Sequence, residues 1–274
     1  MTMTESGFYK DKLALVTGAS SGIGRAVSVQ LLEQGARIIA VGRDQNKLDT
    51  LQQANNGKFE ERIETIRADL SDPEEVSVLL EQLTKMEDQD RISILVNNAG
   101  IGCFGPFNEH SWQTYQDLMQ LNMNSLTRLT LHLSGKMRAH GEGAILNIAS
   151  MAAISPVPNF SIYAASKAYV YSFSQALHHE LKPYGVRVTV VNPGPTQTGF
   201  FDRAGKTVPE KKLRRMVSPE TVARKALKGL KSNKLQVYPG LMDKILHKLN
   251  AMSPHHLSIP ISDYYMKLKT KNQY

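Results

Sequence analysis

One cysteine, Cys103, stands in the 274 residues, which excludes an intrachain disulfide and leaves no thiol pair for a zinc site. No bound metal is expected. The chain also lacks the roughly 18 uninterrupted apolar residues that a membrane span needs, and its opening MTMTESGFYKDK has no basic segment followed by an apolar run. Aromatic residues are only 7% of the sequence, and the basic parts of the chain lack the interleaved aromatic platforms that serve nucleic-acid binding. No internal repeat or low-complexity segment occurs. These absences favour a chain of a reducing compartment, with the cytoplasm as the expectation, that neither spans a bilayer nor takes a nucleic-acid partner.

A hydrophobic content of 41% is enough to fill the core of one large domain over residues 1–274. The net charge of +8 is unevenly spread. Residues 1–202 hold 17 Lys/Arg against 21 Asp/Glu, whereas residues 203–274 hold 16 against 4. The positive charge therefore belongs to the last quarter, where it suits phosphorylated substrates, acidic carriers, anionic lipid or a solvated surface.

Strand-length apolar runs recur with helical stretches between them. They are Leu13–Thr17, Arg37–Val41, Ile63–Ala68, Ile92–Asn97, Ala144–Ala149, Arg187–Val191 and a short run near Leu235–Tyr238. Helices are expected to start near Gly22, Asp44, Asp72, Ser111 and Tyr163. Ser71-Asp72-Pro73-Glu74-Glu75 is a clear start signal, with a capping residue ahead of proline and acids in the first turn. Alternation of this kind predicts an α/β protein of three α/β/α layers around a doubly wound parallel sheet, with its ligand crevice beyond the carboxyl ends of the strands.

The first run leads into Thr17-Gly18-Ala19-Ser20-Ser21-Gly22-Ile23-Gly24 and then directly into a helix. Glycines allow a sharp turn and close approach to a diphosphate, and the helix N-terminus offers free N–H groups and partial positive charge. At the end of the second strand, where an acid would hold both ribose hydroxyls of NAD, the chain reads Val41-Gly42-Arg43-Asp44. A guanidinium there suits a 2′-phosphate, with Ser20 and Ser21 as further donors, so NADP(H) is the expected cofactor. The residues alone leave open an Arg43 neutralised by Asp44 or solvated. Asp69 and Leu70, after the third strand, are placed to hold an adenine.

Tyr163 and Lys167 are four residues apart and so share a helix face. The spacing alone carries little, because Tyr265 and Lys269 repeat it. What distinguishes the first pair is Ser150, which closes the fifth strand beside the expected crevice. Hydride addition to a ketone builds negative charge on oxygen, and a proton must come from a group with a pKa near working pH. Free tyrosine, near about 10, is too weak an acid. A lysine ammonium about 4 Å away contributes at most about 4 kcal/mol at an effective dielectric of 20, enough to bring the phenol into range. Ser150 would hydrogen-bond the substrate oxygen.

In these motifs the chain resembles the short-chain dehydrogenase/reductase family. The resemblance covers about residues 10–200. It rests on TGASSGIG at Thr17–Gly24, ADL at Ala68–Leu70, NNAG at Asn97–Gly100, Asn122 in LMQLNMNSL, Ser150, YAASK at Tyr163–Lys167 and PGPTQT at Pro193–Thr198. It implies a Rossmann fold, with Asn122 kinking its helix and anchoring a proton-relaying water to Lys167. It also implies that Lys167 binds the nicotinamide ribose, that NNAG, with Asn97, Ala99 and Gly100, borders the adenine side and stiffens the central strand, and that Pro193, Gly194, Thr196 and Thr198 lie at the nicotinamide end. By periodicity alone, Asn124 competes with Asn122 as a surface amide. Family members usually pair through the helices that would include Ser111–Ala139 and Tyr163–Lys182, which implies a homodimer or homotetramer.

Within the family, the run from Ile145 to Leu181 resembles the hydroxysteroid dehydrogenases and long-chain 3-oxoacyl reductases. Gly102-Cys103-Phe104, Met151 to Phe160 and Phe200-Phe201 onward would border the substrate, and all are mainly apolar. Cys103 has no histidine partner in view and reads as pocket wall. The expected activity is NADPH-dependent reduction of an apolar ketone, aldehyde or 3-oxoacyl group. The resemblance implies that residues 200–274 form a substrate lid and C-terminal extension, here basic and including Lys211-Lys212-Leu213-Arg214-Arg215. An apolar stripe of Leu241, Met242, Ile245, Leu246, Leu249 and Met252 suits packing or peripheral membrane contact. A rival from another class is a non-catalytic NADP(H)-binding regulator or scaffold acting through the basic tail. It predicts decay of the catalytic residues, and every one is present.

Overall fold

The protein is described by a computed structural model covering residues 7–53, 58–87, 91–213 and 216–252. Seven strands, β1 (Leu13–Thr17), β2 (Arg37–Gly42), β3 (Ile63–Arg67), β4 (Ile92–Asn97), β5 (Gly143–Ile148), β6 (Val186–Val191) and β7 (Gln236–Val237), form one sheet. Every pairing is parallel, in the order β3-β2-β1-β4-β5-β6-β7. The chain runs outward from β1 to β3 and then crosses back to β4 beside β1. That reversal opens a crevice at the carboxyl ends of β1 and β4.

The strands are apolar along their length because helices cover both faces. On one face Ala14, Val16, Ile38, Ala40, Ile94 and Val96 pack with residues of α1 (Gly22–Glu33), α2 (Gln45–Gln52) and α9 (Pro219–Lys231). On the other, Leu15, Ile39 and Leu95 meet α3 (Pro73–Glu87), α5 (Leu126–His140) and α6 (Ser161–Leu181). Helix starts follow local capping chemistry. Asp44 accepts from Lys47 N–H, Ser111 from Thr114 N–H ahead of α4 (Trp112–Met119), and Asp72 from Glu74 N–H. Ser218 caps α9 in the same way, followed by Pro219 and Glu220. Helix α9 is not among the expected helices, although it carries the same start signal as α3.

The helix expected over Ser111–Ala139 is not continuous. Between α4 and α5 the stretch Gln120–Ser125 widens to a π-helical turn, which rotates the faces before and after it relative to one another. After α6 come the short helices α7 (Phe200–Arg203) and α8 (Glu210–Leu213), and α10 (Leu241–Met252) follows β7. Arg214, Arg215, Tyr265 and Lys269 lie outside the described residues. No described helix is long and apolar enough to cross a membrane.

A polar ladder crosses the buried interior behind the crevice. Asn97 Nδ2 donates to Thr130 Oγ1 and to Asn147 Oδ1, both at 2.9 Å. Asn147 Nδ2 donates in turn to Ser174 Oγ at 2.8 Å, tying β4, β5, α5 and α6 together. Buried amides are stabilising only while paired, so one break strands several partners. Asn147→Leu should therefore lower unfolding stability by about 2–3 kcal/mol, read from urea unfolding. A loss within about 0.5 kcal/mol would contradict a structural role for the ladder.

Candidate active site

Strand β1 delivers the chain to a loop in which Gly18 and Gly22 hold φ of +63° and +53°, values that side chains rarely adopt. A Cβ on Gly24 would lie 2.2 Å from Gly18 O, so the glycine allows the first turn of α1 to close on the loop. Ser21, the residue before α1, makes no side-chain cap, and no acid stands in the first turn. The helix thus presents uncapped N–H groups and its positive end, with half-buried Ser20, Ser21 and Ile23 alongside. A concave, donor-rich cradle kept clear of side chains fits a dinucleotide diphosphate.

Asn98 and Thr17 set this loop's position, and sequence reading assigned neither a role of its own. Asn98 Nδ2 donates to Thr17 O at 2.9 Å and Gly18 O at 3.2 Å. Thr17 Oγ1 accepts from the N–H groups of Asn98 and Ala99, each at 3.0 Å. Asn97 has its amide in the buried ladder, only 3% exposed, in keeping with the strand-stiffening role expected of it. Adjacent residues at a strand end face opposite ways, and the outward one is Asn98.

Arg43, at the end of β2, is exposed and forms no ion pair among the described residues. Asp44 does not neutralise it, because Asp44 caps α2 and pairs with Lys47 Nζ at 2.8 Å. Beyond β3, Asp69 Oδ1 accepts from Ser71 N–H and Oγ, and these bonds help hold its carboxyl below the ordinary range against the opposing effect of burial. The Leu70 side chain is buried in the core, and its carbonyl accepts from Ser125 Oγ.

The catalytic candidates meet at the carboxyl end of β5. Ser150 accepts from Ala152 N–H at 3.1 Å, which leaves its own O–H available as a donor, and its nearness favours the Tyr163 phenolate. Lys167, one turn along α6, is buried with Nζ donating to Ile148 O at 3.0 Å and standing 5.8 Å from the Tyr163 ring centre. Asn122 lies in the π-helical turn and is fully buried. Its Oδ1 accepts from Ile101 N–H, and its Nδ2 donates to Ile101 O and Ser166 Oγ. Asn124 bonds Gln120 on the exposed side, so the two amides separate cleanly. A Cβ on Gly100 would sit 3.2 Å from both Asn122 Oδ1 and Lys167 Nζ, which explains the glycine there.

The phenol's acidity departs from expectation. Burial raises Tyr163 to about 12, against the lowering effect of the Ser150 bond, and burial lowers Lys167 to about 8. Phe160 stacks on Tyr163 with centres 4.2 Å apart and Phe200 packs at 5.3 Å, so water is excluded from the phenol. Desolvation thus outweighs the effect of Ser150 in this closed arrangement. The three apolar segments expected around the substrate do converge here, with Cys103, Phe104, Val157, Phe160, Phe200 and Ala204 in one cluster. Burial also raises the Cys103 thiol, which suits a wall residue.

The loop after β6 closes the other side. Pro193 O accepts from Met151 N–H, and Thr196 is buried with Oγ1 on Gly194 O. Thr198 Cγ2 lies 3.0 Å from a Cβ position on Gly22, joining this loop to the glycine loop. Gly194 N–H donates to Asp243 Oδ2 at 3.1 Å, and Gly240 N–H donates to the same oxygen at 3.0 Å. The sequence contains no pattern that would have found Asp243. Among the described residues no group of His, Cys, Asp and Glu could hold a metal ion.

The short chain dehydrogenase family pattern matches residues 12–208. An uncharacterized oxidoreductase of Staphylococcus saprophyticus is 33% identical over 81% of this chain and 92% of its own length. Among solved structures, a short-chain dehydrogenase from Sphingobium yanoikuyae in complex with NADPH is similar at 31% identity and a TM-score of 0.77, over 89% of this chain and 96% of that one. The bulky-bulky ketone specific alcohol dehydrogenase from Comamonas testosteroni is similar at 30% identity and a TM-score of 0.73, over 89% and 95%.

Lys167 ties stability to this site. Its folded pKa of about 8 lies below the ordinary 10.5, so between those values the unfolded chain binds more protons and stability rises with pH. Below about pH 8 the buried ammonium costs up to about 3 kcal/mol. Lys167→Met should therefore stabilise the protein at pH 7 by about 1–3 kcal/mol in urea unfolding, with the gain fading toward pH 10.5. A pH-independent difference would show that this charge is not the cause.

Proposed function

Because the chain belongs to the short-chain dehydrogenase family of NAD(P)-dependent oxidoreductases, we propose that it is an NADPH-dependent carbonyl reductase, reversible as an alcohol dehydrogenase. Its substrate is an apolar ketone, aldehyde or 3-oxoacyl compound. The observation that carries this reading is the hydroxyl pair of Ser150 and Tyr163, set beneath an apolar aromatic cluster with the Lys167 ammonium buried behind it.

Bound nicotinamide supplies the hydride. Charge then develops on the carbonyl oxygen, and two donors of this chain meet it. Ser150, polarised by the Ala152 N–H that enters its oxygen, donates a hydrogen bond. Tyr163 delivers the proton and is left as phenolate, which the Lys167 ammonium stabilises. Asn122 positions the relay side, since its amide clamps the Ile101 backbone and Ser166. For a substrate to reach the phenol, Phe200 on α7 must swing from its packing against Gly102 and Tyr163. In that opened site the desolvation that disfavours the phenolate is relieved, so the phenol titrates closer to working pH. Gly18, Ser20, Ser21, Gly22, Ile23 and Gly24 take the diphosphate, and Asp69, Leu70, Ala99 and Gly100 flank the adenosine half. Lys167, Pro193, Gly194, Thr196 and Thr198 surround the nicotinamide half. Arg43, exposed and without an ion-pair partner among the described residues, takes the 2′-phosphate, and the similar Sphingobium enzyme is known with NADPH.

Turnover of a panel of apolar ketones and 3-oxoacyl thioesters, followed by NADPH absorbance, should be lost by about 100-fold or more in Tyr163→Phe. Unchanged turnover in that variant, or no turnover of any substrate by the wild type, would defeat the reading. Arg43→Ala should raise the KM for NADPH by about 10- to 100-fold and leave NADH nearly unaffected. Equal losses for both cofactors would remove Arg43 from phosphate recognition.

A further inference from the structure

Lys206 occupies a position where the local fold calls for an apolar side chain. Helix α7 ends on Gly205, at φ +79°. Gly205 N–H donates to Asp202 O at 3.1 Å and Lys206 N–H to Phe201 O at 2.9 Å. This pair of bonds folds the residue after the glycine back onto the helix, where a hydrophobic contact usually completes the ending. Here the residue is a lysine, and it is only 5% exposed.

Among the described residues its ammonium finds no anion. Nζ is buried without a hydrogen-bond partner and stands 3.3 Å from the centre of the Phe104 ring. Burial lowers the group to about 8, so most of it is still charged at neutral pH. Phe104 is fixed by its N–H to Ala204 O at 2.9 Å, and its ring leans on Phe160, which in turn stacks on Tyr163. The unpaired cation therefore belongs to the aromatic cluster that covers the proton donor. A ring face recovers only part of what an ammonium loses on leaving water, and a carboxylate would complete the pairing.

We propose that Lys206 anchors a carboxylate on the substrate, so that the preferred substrate is an apolar carbonyl compound bearing one carboxylate remote from the reacting carbon. This rests on the reductase reading of the same site. A single point-charge donor suits a monoanion better than a phosphate, which would call for further donors or an arginine fork. The nearby Arg203 is exposed and turns its guanidinium back toward Gly199.

The test uses the full chain with NADP⁺ bound, titrated calorimetrically with a series of aryl oxo-carboxylates of increasing length, their methyl esters and the matching aryl alkyl phosphates. The wild type should bind the best acid about 10- to 100-fold more tightly than its ester, and Lys206→Met should erase that gap while keeping ester affinity. Methionine suits the apolar surroundings, and Lys206→Arg, which keeps the charge, should retain part of the acid preference. Equal binding of acid and ester by the wild type, equal loss of both in Lys206→Met, or a preference for the phosphate would overturn the assignment. NADPH turnover of the esters separates the two readings. Reduction of ester without acid preference defeats only the carboxylate anchor, whereas no reduction of acid or ester defeats the reductase.

Discussion

The buried contact between the Lys167 ammonium and the Ile148 carbonyl is the constraint around which the site is arranged. An ammonium held away from water is tolerated only where neighbours are shaped for it. Gly100 leaves room beside it, and Asn122 occupies the adjoining space with its amide committed to Ile101 and Ser166. Asn122 reaches that place because α4 and α5 are joined by a widened turn rather than a continuous helix. The contact also pins α6 to the end of β5, and this sets where Tyr163 faces Ser150.

The cofactor cradle has its own framework, and it is held by backbone groups more than by side-chain charge. Thr17 and Asn98 cross-link the ends of β1 and β4 at the point where the sheet order reverses. The two loops that flank the cradle touch at Gly22 and Thr198. Such a site is rigid on the diphosphate side and adjustable on the substrate side, where the covering rings of Phe160 and Phe200 make only apolar contacts with Tyr163.

Much of this was legible in the sequence because it is written in short-range chemistry. Buried parallel strands read as aliphatic runs, Asp44 and Ser111 mark helix starts, and the glycine loop follows its strand at once. The same rule would have found α9 from Ser218-Pro219-Glu220. Other features depend on which way a side chain faces after the chain leaves regular structure. Asn97 and Asn98 are the same residue type one position apart, yet one is interior and the other holds the loop. Asn122 could be separated from Asn124 only by the fold. The direction of the Tyr163 pKa was not legible, because coulombic attraction follows from spacing while desolvation depends on Phe160 and Phe200 from distant segments. Asp243 and Lys206 matter through the groups they meet across the fold, and no local pattern announces them.

The carboxylate of Asp243 fastens the loop at Gly194 to the start of α10. Seen along the direction in which a ribosome releases the chain, this fastening has a consequence in time. Ser150, Tyr163 and Lys167 all emerge well before residue 243, and the strands that carry them can assemble as they appear. The loop at Gly194 lacks its last tether until α10 begins to emerge. A nascent chain therefore holds its proton-transfer groups in order while the wall beside them is still unlatched, and the site is completed only once α10 has emerged.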